Sequence, residues 1–228
     1  GIPEQRLSQW QNNLKQAIQT GAEHFSFYNL IYEPGTPLTK ARDDNKLTPL
    51  DDNIEFEMYR LAHQFLNSFN YHHYEISNWA KPGLEARHNS AYWNHSNYLG
   101  FGPAAHSYID DHRRSNVRSL IKYIERVNAG KLVVDFEEKL TAEMKLSEFI
   151  FLGLRTANGM SIEKFESLAQ LSFEKIINQM EQKFNQSFMK KYANINDENL
   201  SLSVEGWFTC DYIVEKFLLT IAETEDAN

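Results

Sequence analysis

Tyr74-Glu75-Ile76-Ser77-Asn78-Trp79 reads as a β-strand, and the residues before it make that strand the second of an alternating series. Upstream, Leu7, Trp10, Leu14, Ala17 and Ile18 fall at helical spacing, and Gly21 sits where such a helix stops. Residues 25–31 then have strand character, and Glu33-Pro34-Gly35-Thr36-Pro37 ends it, since prolines remove donors and glycine favours turns. Thr48 and Pro49 read as the cap and first position of a second helix, with Met58, Leu61, Ala62, Phe65 and Phe69 as its buried stripe. Downstream of Trp79, residues 98–103 predict a third, glycine-interrupted strand. Helix alternating with strand argues for an α/β fold with a parallel sheet.

The texture changes near Ser119. Helices are predicted over 120–127, 142–154, 162–169 and 173–184, without convincing strands between them. A short strand at 200–204 and a closing helix at 210–221, with Ile213, Val214, Phe217 and Ile221 in register, complete the chain. The expected division is 1–118 and 119–228, the second part mainly helical with a small winged-helix-like strand element.

Composition narrows the function. With 228 residues, 42% hydrophobic and 13% aromatic, the chain has enough apolar material for a large core. A net charge of -8 and the lack of any basic run speak against nucleic acid and against an acidic membrane surface. Apolar runs such as Phe149-Ile150-Phe151-Leu152 fall far short of the roughly 20 residues that cross a bilayer, so a soluble, cytoplasmic protein is expected. The single cysteine, Cys210, supplies neither a disulfide framework nor the three or four thiolates of an iron-sulfur or zinc site. It precedes an apolar helix and reads as a packing residue. The opening Gly1-Ile2-Pro3 reads as a cut from a longer protein.

Chemically capable residues are densest from Tyr74 to Ser107: Glu75, Asn78, Trp79, Arg87, His88, Asn89, Tyr92, Trp93 and His106. Aromatic walls with a few polar groups suit a large planar ligand. If residues 88–93 are helical, His88 and Tyr92 share a face with Trp93 beside them, presenting an imidazole and an aromatic wall together. Read from spacing alone, packed aromatics and a hydrogen-bonded structural histidine account for the same residues. Gly100 and Gly102 allow close backbone approach to a cofactor, or simply a tight turn of small residues, and they lack the dinucleotide and P-loop spacings. Glu33 is a carboxylate at a strand end, able to accept from a ligand or to cap local amides. His72 and His73 are adjacent, point to opposite faces of a strand, and do not form a metal site.

Together these pieces resemble one family. The segment from His24 through Tyr32-Glu33-Pro34-Gly35-Thr36, then Tyr74–Gly83, then Arg87-His88-Asn89 with Tyr92-Trp93, then Leu99-Gly100-Phe101-Gly102-Pro103-Ala104-Ala105-His106-Ser107, has the order and spacing of radical-SAM haem chaperones, proteins similar to oxygen-independent coproporphyrinogen III oxidases. The likeness continues through Arg114, Asn116, residues 151–155, Gly159 and Gly206. It implies the C-terminal part of a partial (β/α) radical-SAM barrel followed by a helical domain. It also implies a [4Fe-4S] cluster and S-adenosylmethionine in the whole protein, with the cluster cysteines upstream of Gly1, so that 1–228 alone is expected to be inactive. His88, Asn89, Tyr92 and Trp93 correspond to the family's haem-associated motif. Glu33, Glu75, Asn78, Gly100, Gly102 and His106 are expected around the S-adenosylmethionine or substrate pocket. Haem chaperoning, with transfer to respiratory haem proteins, is the expected role in porphyrin and haem metabolism. A coproporphyrinogen III dehydrogenase and a non-catalytic interaction module are the alternatives. A cut barrel edge also predicts self-association.

Overall fold

A computed structural model describes residues 1–184 and 188–226. The chain runs α1 (Leu7–Gln19), β1 (His24–Ser26), α2 (Pro37–Asp43), α3 (Asp52–Ser68), β2 (His72–Glu75), β3 (Asn78–Ala80), α4 (Arg87–Trp93), β4 (His106–Ile109) and β5 (His112–Asn116). It continues through α5 (Leu120–Asn128), β6 (Val134–Lys139), α6 (Ala142–Gly153), β7 (Met160–Ser161), α7 (Ile162–Ala169), α8 (Phe173–Phe184), α9 (Phe188–Tyr192), β8 (Ala193–Ile195), β9 (Asn199–Leu202), α10 (Val204–Phe208) and α11 (Cys210–Asp226). The fold is mixed α/β, as expected.

The strands differ from the expectation. Three small sheets form, in the orders β1-β3-β2, β4-β5-β6 and β7-β9-β8, and every pairing between these strands is antiparallel. The expected parallel sheet is therefore corrected. Its cause lies inside Tyr74–Trp79, which is not one strand: the chain reverses at Ile76-Ser77, where the Ser77 amide donates to Glu75 Oε2 at 3.1 Å and fixes the turn. β1 and β2 consequently run in the same direction, but with β3 between them.

The predicted strand at 98–103 reduces to one main-chain pairing, Tyr98 with Tyr108, because Gly102 (φ 103°) and Ala104 (φ 59°) turn the chain out of extended geometry. The cap of α3 is Asp51, whose side chain accepts from the Asn53 amide at 2.9 Å, and Thr48 and Pro49 stay in the preceding loop. Two elements have little apolar signature: α2, capped by Thr36 with Pro37 at its first position, and β6, whose charged residues pair across to β5 as Arg113–Glu138 and Arg114–Glu137. The sheet β4-β5-β6 spans the expected division at 118/119.

Two cores carry the fold. Leu14, Phe25, Ala62, Leu66, Tyr71 and Trp79 fill the space between α1, α3 and the first sheet. A larger core gathers α6, α7, α8, α11 and the third sheet around Ile150, Leu154, Phe165, Ile176, Met180, Leu200 and Phe217. Tyr59 packs against both and donates from its hydroxyl to the Ile76 carbonyl at 2.9 Å. The two halves also join at β2, where Ile76 N–H donates to Arg155 O at 2.9 Å and Ala157 N–H to Tyr74 O at 3.0 Å. α5 packs little, with Leu120, Ile121, Ile124 and Val127 all exposed. None of the helices among the described residues is long and apolar enough to cross a membrane.

Candidate functional site

α4 is the centre of the site, and it is a weak helix by itself. It is seven residues long, its N-cap Ala86 has no side-chain cap bond, and none of its residues is buried. Its stability therefore comes from what it touches. At its start Ala86 N–H donates to the Tyr74 hydroxyl at 3.3 Å, and that hydroxyl also meets His24 Nε2 at 2.9 Å. Just past its end His95, in a left-handed conformation, sets Nε2 2.7 Å from Glu148 Oε2 on α6 and stacks on Tyr108 with ring centres 4.5 Å apart. Burial, followed by the cations Lys164, Arg113 and Lys145, holds His95 below the usual imidazole range.

The helix presents two different faces. On one, His88 and Tyr92 are both exposed, four residues apart, with His88 Nε2 2.9 Å from Tyr92 Oη. Tyr92 also stands edge-on to Tyr98, ring centres 4.5 Å apart, at the mouth of a 220 Å³ cavity walled by His95, Tyr108 and Arg113. On the other face, Asn89 turns inward and Trp93 borders a 470 Å³ cleft with Tyr74, Glu75, Thr156 and Asn158. The Trp93 indole N–H is shut off from solvent and has no hydrogen-bond partner. His88, Asn89, Tyr92 and Trp93 thus share a helix but not a surface.

Glu75 lies behind the second face, fully buried. Its Oε1 accepts from Asn78 Nδ2 and, at 3.3 Å, from Asn89 Nδ2, while its Oε2 accepts from the Ser77 amide. Asn78 Oδ1 in turn accepts from Ser26 Oγ, so the polar chain crosses the whole first sheet. Burial pushes the Glu75 carboxyl above its ordinary range, and the Ser77 and Asn89 hydrogen bonds pull part of the way back.

The remaining expected site residues lie elsewhere. Glu33 is exposed, and its main-chain carbonyl accepts from the Thr36 and Thr39 hydroxyls at 2.9 and 2.6 Å, which is a turn at the start of α2. Gly100 and Gly102 are held by the protein itself. Asn116 Nδ2 donates to both carbonyls, Gly100 N–H donates to Ser107 Oγ at 3.0 Å, and Gly102 N–H donates to Tyr123 Oη at 3.2 Å. A side chain on Gly100 would run into the His106 backbone, so its smallness serves packing. The His106 ring is exposed at the start of β4. His72 and His73 separate as expected, one exposed and one buried against Trp79.

Sequence reasoning missed Tyr98, Tyr108 and His95. Their only signal was aromatic density next to α4, and the pairing of Tyr98 with Tyr108 across ten residues was invisible before folding. Cys210 is buried and its thiol is pushed up to about 11, an inert packing group. Among the described residues no group of three or more His, Cys, Asp or Glu side chains is placed to hold a metal ion.

The comparisons with known proteins agree with one another. The HemN C-terminal domain family matches residues 140–209. "Heme chaperone HemW" of Bacillus subtilis is 35% identical over 165 residues, covering 72% of this chain and 44% of that protein. "Heme chaperone HemW" of Lactococcus lactis is 29% identical over 220 residues, covering 96% of this chain and 56% of that protein. Among solved structures, the radical-SAM enzyme coproporphyrinogen III oxidase (HemN) from Escherichia coli superposes with a TM-score of 0.68 at 15% identity, over 97% of this chain and 52% of that one. The chain spans about half the length of the curated relatives it matches. This run of relatives and the matched C-terminal domain place the chain, as a fragment, in the HemW-type family, and the likeness to coproporphyrinogen III oxidase shows a shared fold.

Proposed function

We propose that this chain contributes the haem-contacting part of a radical-SAM haem chaperone, with His88 as the group that meets the iron and Tyr92 as the aromatic neighbour of the macrocycle. The observation that carries this reading is an imidazole exposed on a helix face, backed by a tyrosine ring, in a protein whose relatives are named haem chaperones. Haem is cargo here. A neutral imidazole is a ready axial ligand, and Tyr92 Oη, which now occupies His88 Nε2, has to release it first. Respiratory haem proteins are the proposed recipients, and the cytoplasm the proposed compartment.

The family's iron-sulfur cluster does not fit the donor set of these 228 residues, which include a single, buried cysteine. We derive no radical step from them, and we propose that 1–228 alone has no such activity. Two finer structural readings belong with the proposal. The first sheet would extend a partial barrel, and β7, α7, α8 and the β8–β9 hairpin have the order of a winged helix. The outer edge of β1 is the proposed site of self-association, to be checked by sedimentation.

The test is a haem titration of the protein and of His88→Ala. Loss of the histidine-ligated Soret band and of affinity in the variant is expected, and identical binding by both removes His88 as the ligand. The fold likeness to coproporphyrinogen III oxidase supports a second reading, oxidative decarboxylation of coproporphyrinogen III. An anaerobic assay of a full-length homologue with S-adenosylmethionine decides between them by the presence or absence of protoporphyrinogen.

A further inference from the structure

We infer that Glu75 is the positioning residue of the haem face: its buried carboxylate, gripping Asn89 from below, sets the pitch at which α4 offers His88. The inference rests on the haem reading of His88 and goes beyond it by naming what holds the ligand in place.

The argument begins with the weakness of α4. Seven residues without a side-chain cap and without a buried residue form an unstable helix in isolation, so its orientation is imposed from outside. Its flanks are tied by Ala86 to Tyr74 and by His95 to Glu148. Within the helix itself, Asn89 is bonded to the sheet, donating to Glu75 and also meeting the Tyr74 side chain beside it. Asn89 directly follows His88, so a rotation that breaks the Asn89 bond swings His88 with it.

Glu75 is fixed far more firmly than the helix it holds. It is fully buried, its backbone pairs with Thr156 of the larger C-terminal half, and its carboxylate receives the Ser77 amide and the Asn78 side chain. All three groups that meet the carboxylate are N–H donors, an arrangement suited to an acceptor-only group and not to an amide. The sheet, the C-terminal half and α4 therefore converge on one side chain. A leucine of similar size would hold the space but leave three buried donors unpaired.

This predicts a donor–acceptor crossover. Asn89→Asp places a carboxylate against the Glu75 carboxylate and breaks the contact, whereas Glu75→Gln weakens it, since a neutral amide replaces the charged acceptor and the Asn89 amide has to turn over to meet it. Combining the two restores it with the roles reversed: Gln at 75 donates, Asp at 89 accepts, and Asn78 and the Ser26 hydroxyl can turn over to match. The measurements are amide hydrogen exchange across residues 87–94, haem affinity, and the position of the Soret band. Each single variant is expected to exchange faster in that segment and to bind haem about tenfold more weakly, with both effects largely reversed in the double variant. Asn89→Ala, at a half-exposed position, reports the same loosening should Glu75→Gln unfold the protein.

Unchanged exchange and affinity in Glu75→Gln and Asn89→Ala overturn the inference. Equal damage in the single and double variants also overturns it, since a simple packing role predicts no rescue. If His88→Ala binds haem as the parent does, the haem reading falls instead, and the exchange data alone then decide whether Glu75 sets α4.

Discussion

The Nδ1 atoms of His63 and His73 face each other at 3.0 Å, and only one arrangement of protons satisfies the groups around them. His73 Nε2 lies 3.3 Å from the Ile76 carbonyl and therefore carries its proton there, leaving Nδ1 as an acceptor. His63 must then donate from Nδ1, and its Nε2 accepts from Asn67 Nδ2 at 3.0 Å. Both rings are neutral. His73 is also stacked on Trp79 with ring centres 3.8 Å apart and abuts Trp207, so the pair sits where the two cores meet.

Acid should act on this pair first. Burial lowers His73 to about 3 and also lowers His63, whereas both titrate near 6.5 when unfolded. The unfolded chain therefore takes up protons that the folded chain refuses. The stability from this source is complete above about pH 6.5 and is lost as pH falls toward the folded value. We expect roughly 2 kcal/mol of it to be gone between pH 7 and pH 5, measured by urea melts at each pH. His73→Phe should flatten that slope, and an unaltered slope would show that other groups set it.

Phe217 is fully buried at the centre of the larger core, edge-on to Phe165 with ring centres 5.5 Å apart. Phe217→Ala should cost roughly 3–5 kcal/mol, because a large cavity opens among side chains with little room to relax. Phe136, half exposed on β6, is the control, and its replacement by alanine should cost well under 1 kcal/mol.

Glycines separate into two classes that one measurement distinguishes. Gly159 has φ 74°, and a side chain there would strike the Leu200 carbonyl on β9, whereas Gly35 has φ 80° and open space around it. Gly35→Ala should cost only the left-handed penalty of about 1–2 kcal/mol. Gly159→Ala adds a backbone clash and should unpair β7 from β9, visible as a much larger drop in melting temperature.

Tyr92→Phe removes the hydroxyl that engages His88 Nε2 while keeping the ring. Under the haem reading this frees the ligand, and affinity should rise about fivefold, the worth of one modest hydrogen bond. A fall in affinity would mean that the hydroxyl contacts the cargo and does not guard the histidine.

Cys210 should be silent in the folded protein. With its thiol buried and pushed up to about 11, alkylation at pH 8 should proceed only in urea. Rapid native labelling would indicate frequent opening of the α10–α11 junction.

Strong periodicity made most of the long helices legible: α1, α5, α6, α7, α8 and α11 lie within a few residues of the stretches whose apolar spacing predicts them. The family was legible as well, because long motifs such as Tyr74–Gly83 and Leu99–Ser107 are specific in order and spacing. The strands were legible only in part: β1 and β9 overlap the stretches expected at 25–31 and 200–204, β2 and β3 divide the one expected at 74–79, and the others were not legible. β6 is held by cross-strand ion pairs with β5, and β7 by pairing with β9, partners distant in the chain that no local pattern announces, while β8 is a three-residue strand completed by its hairpin with β9.

What the amino-acid order determined alone is the helical register, the supply of aromatic and polar groups between Tyr74 and Ser107, and the scarcity of thiols. Tertiary structure decided how those groups are divided. A turn at Ile76-Ser77 folds one apparent strand into a hairpin, buries Glu75 beneath α4, and leaves His88 and Tyr92 on the outer face while Asn89 points inward. The physical reason is that the direction of a short, weakly stable helix is set by long-range hydrogen bonds and packing, and those partners become neighbours only once the chain has folded.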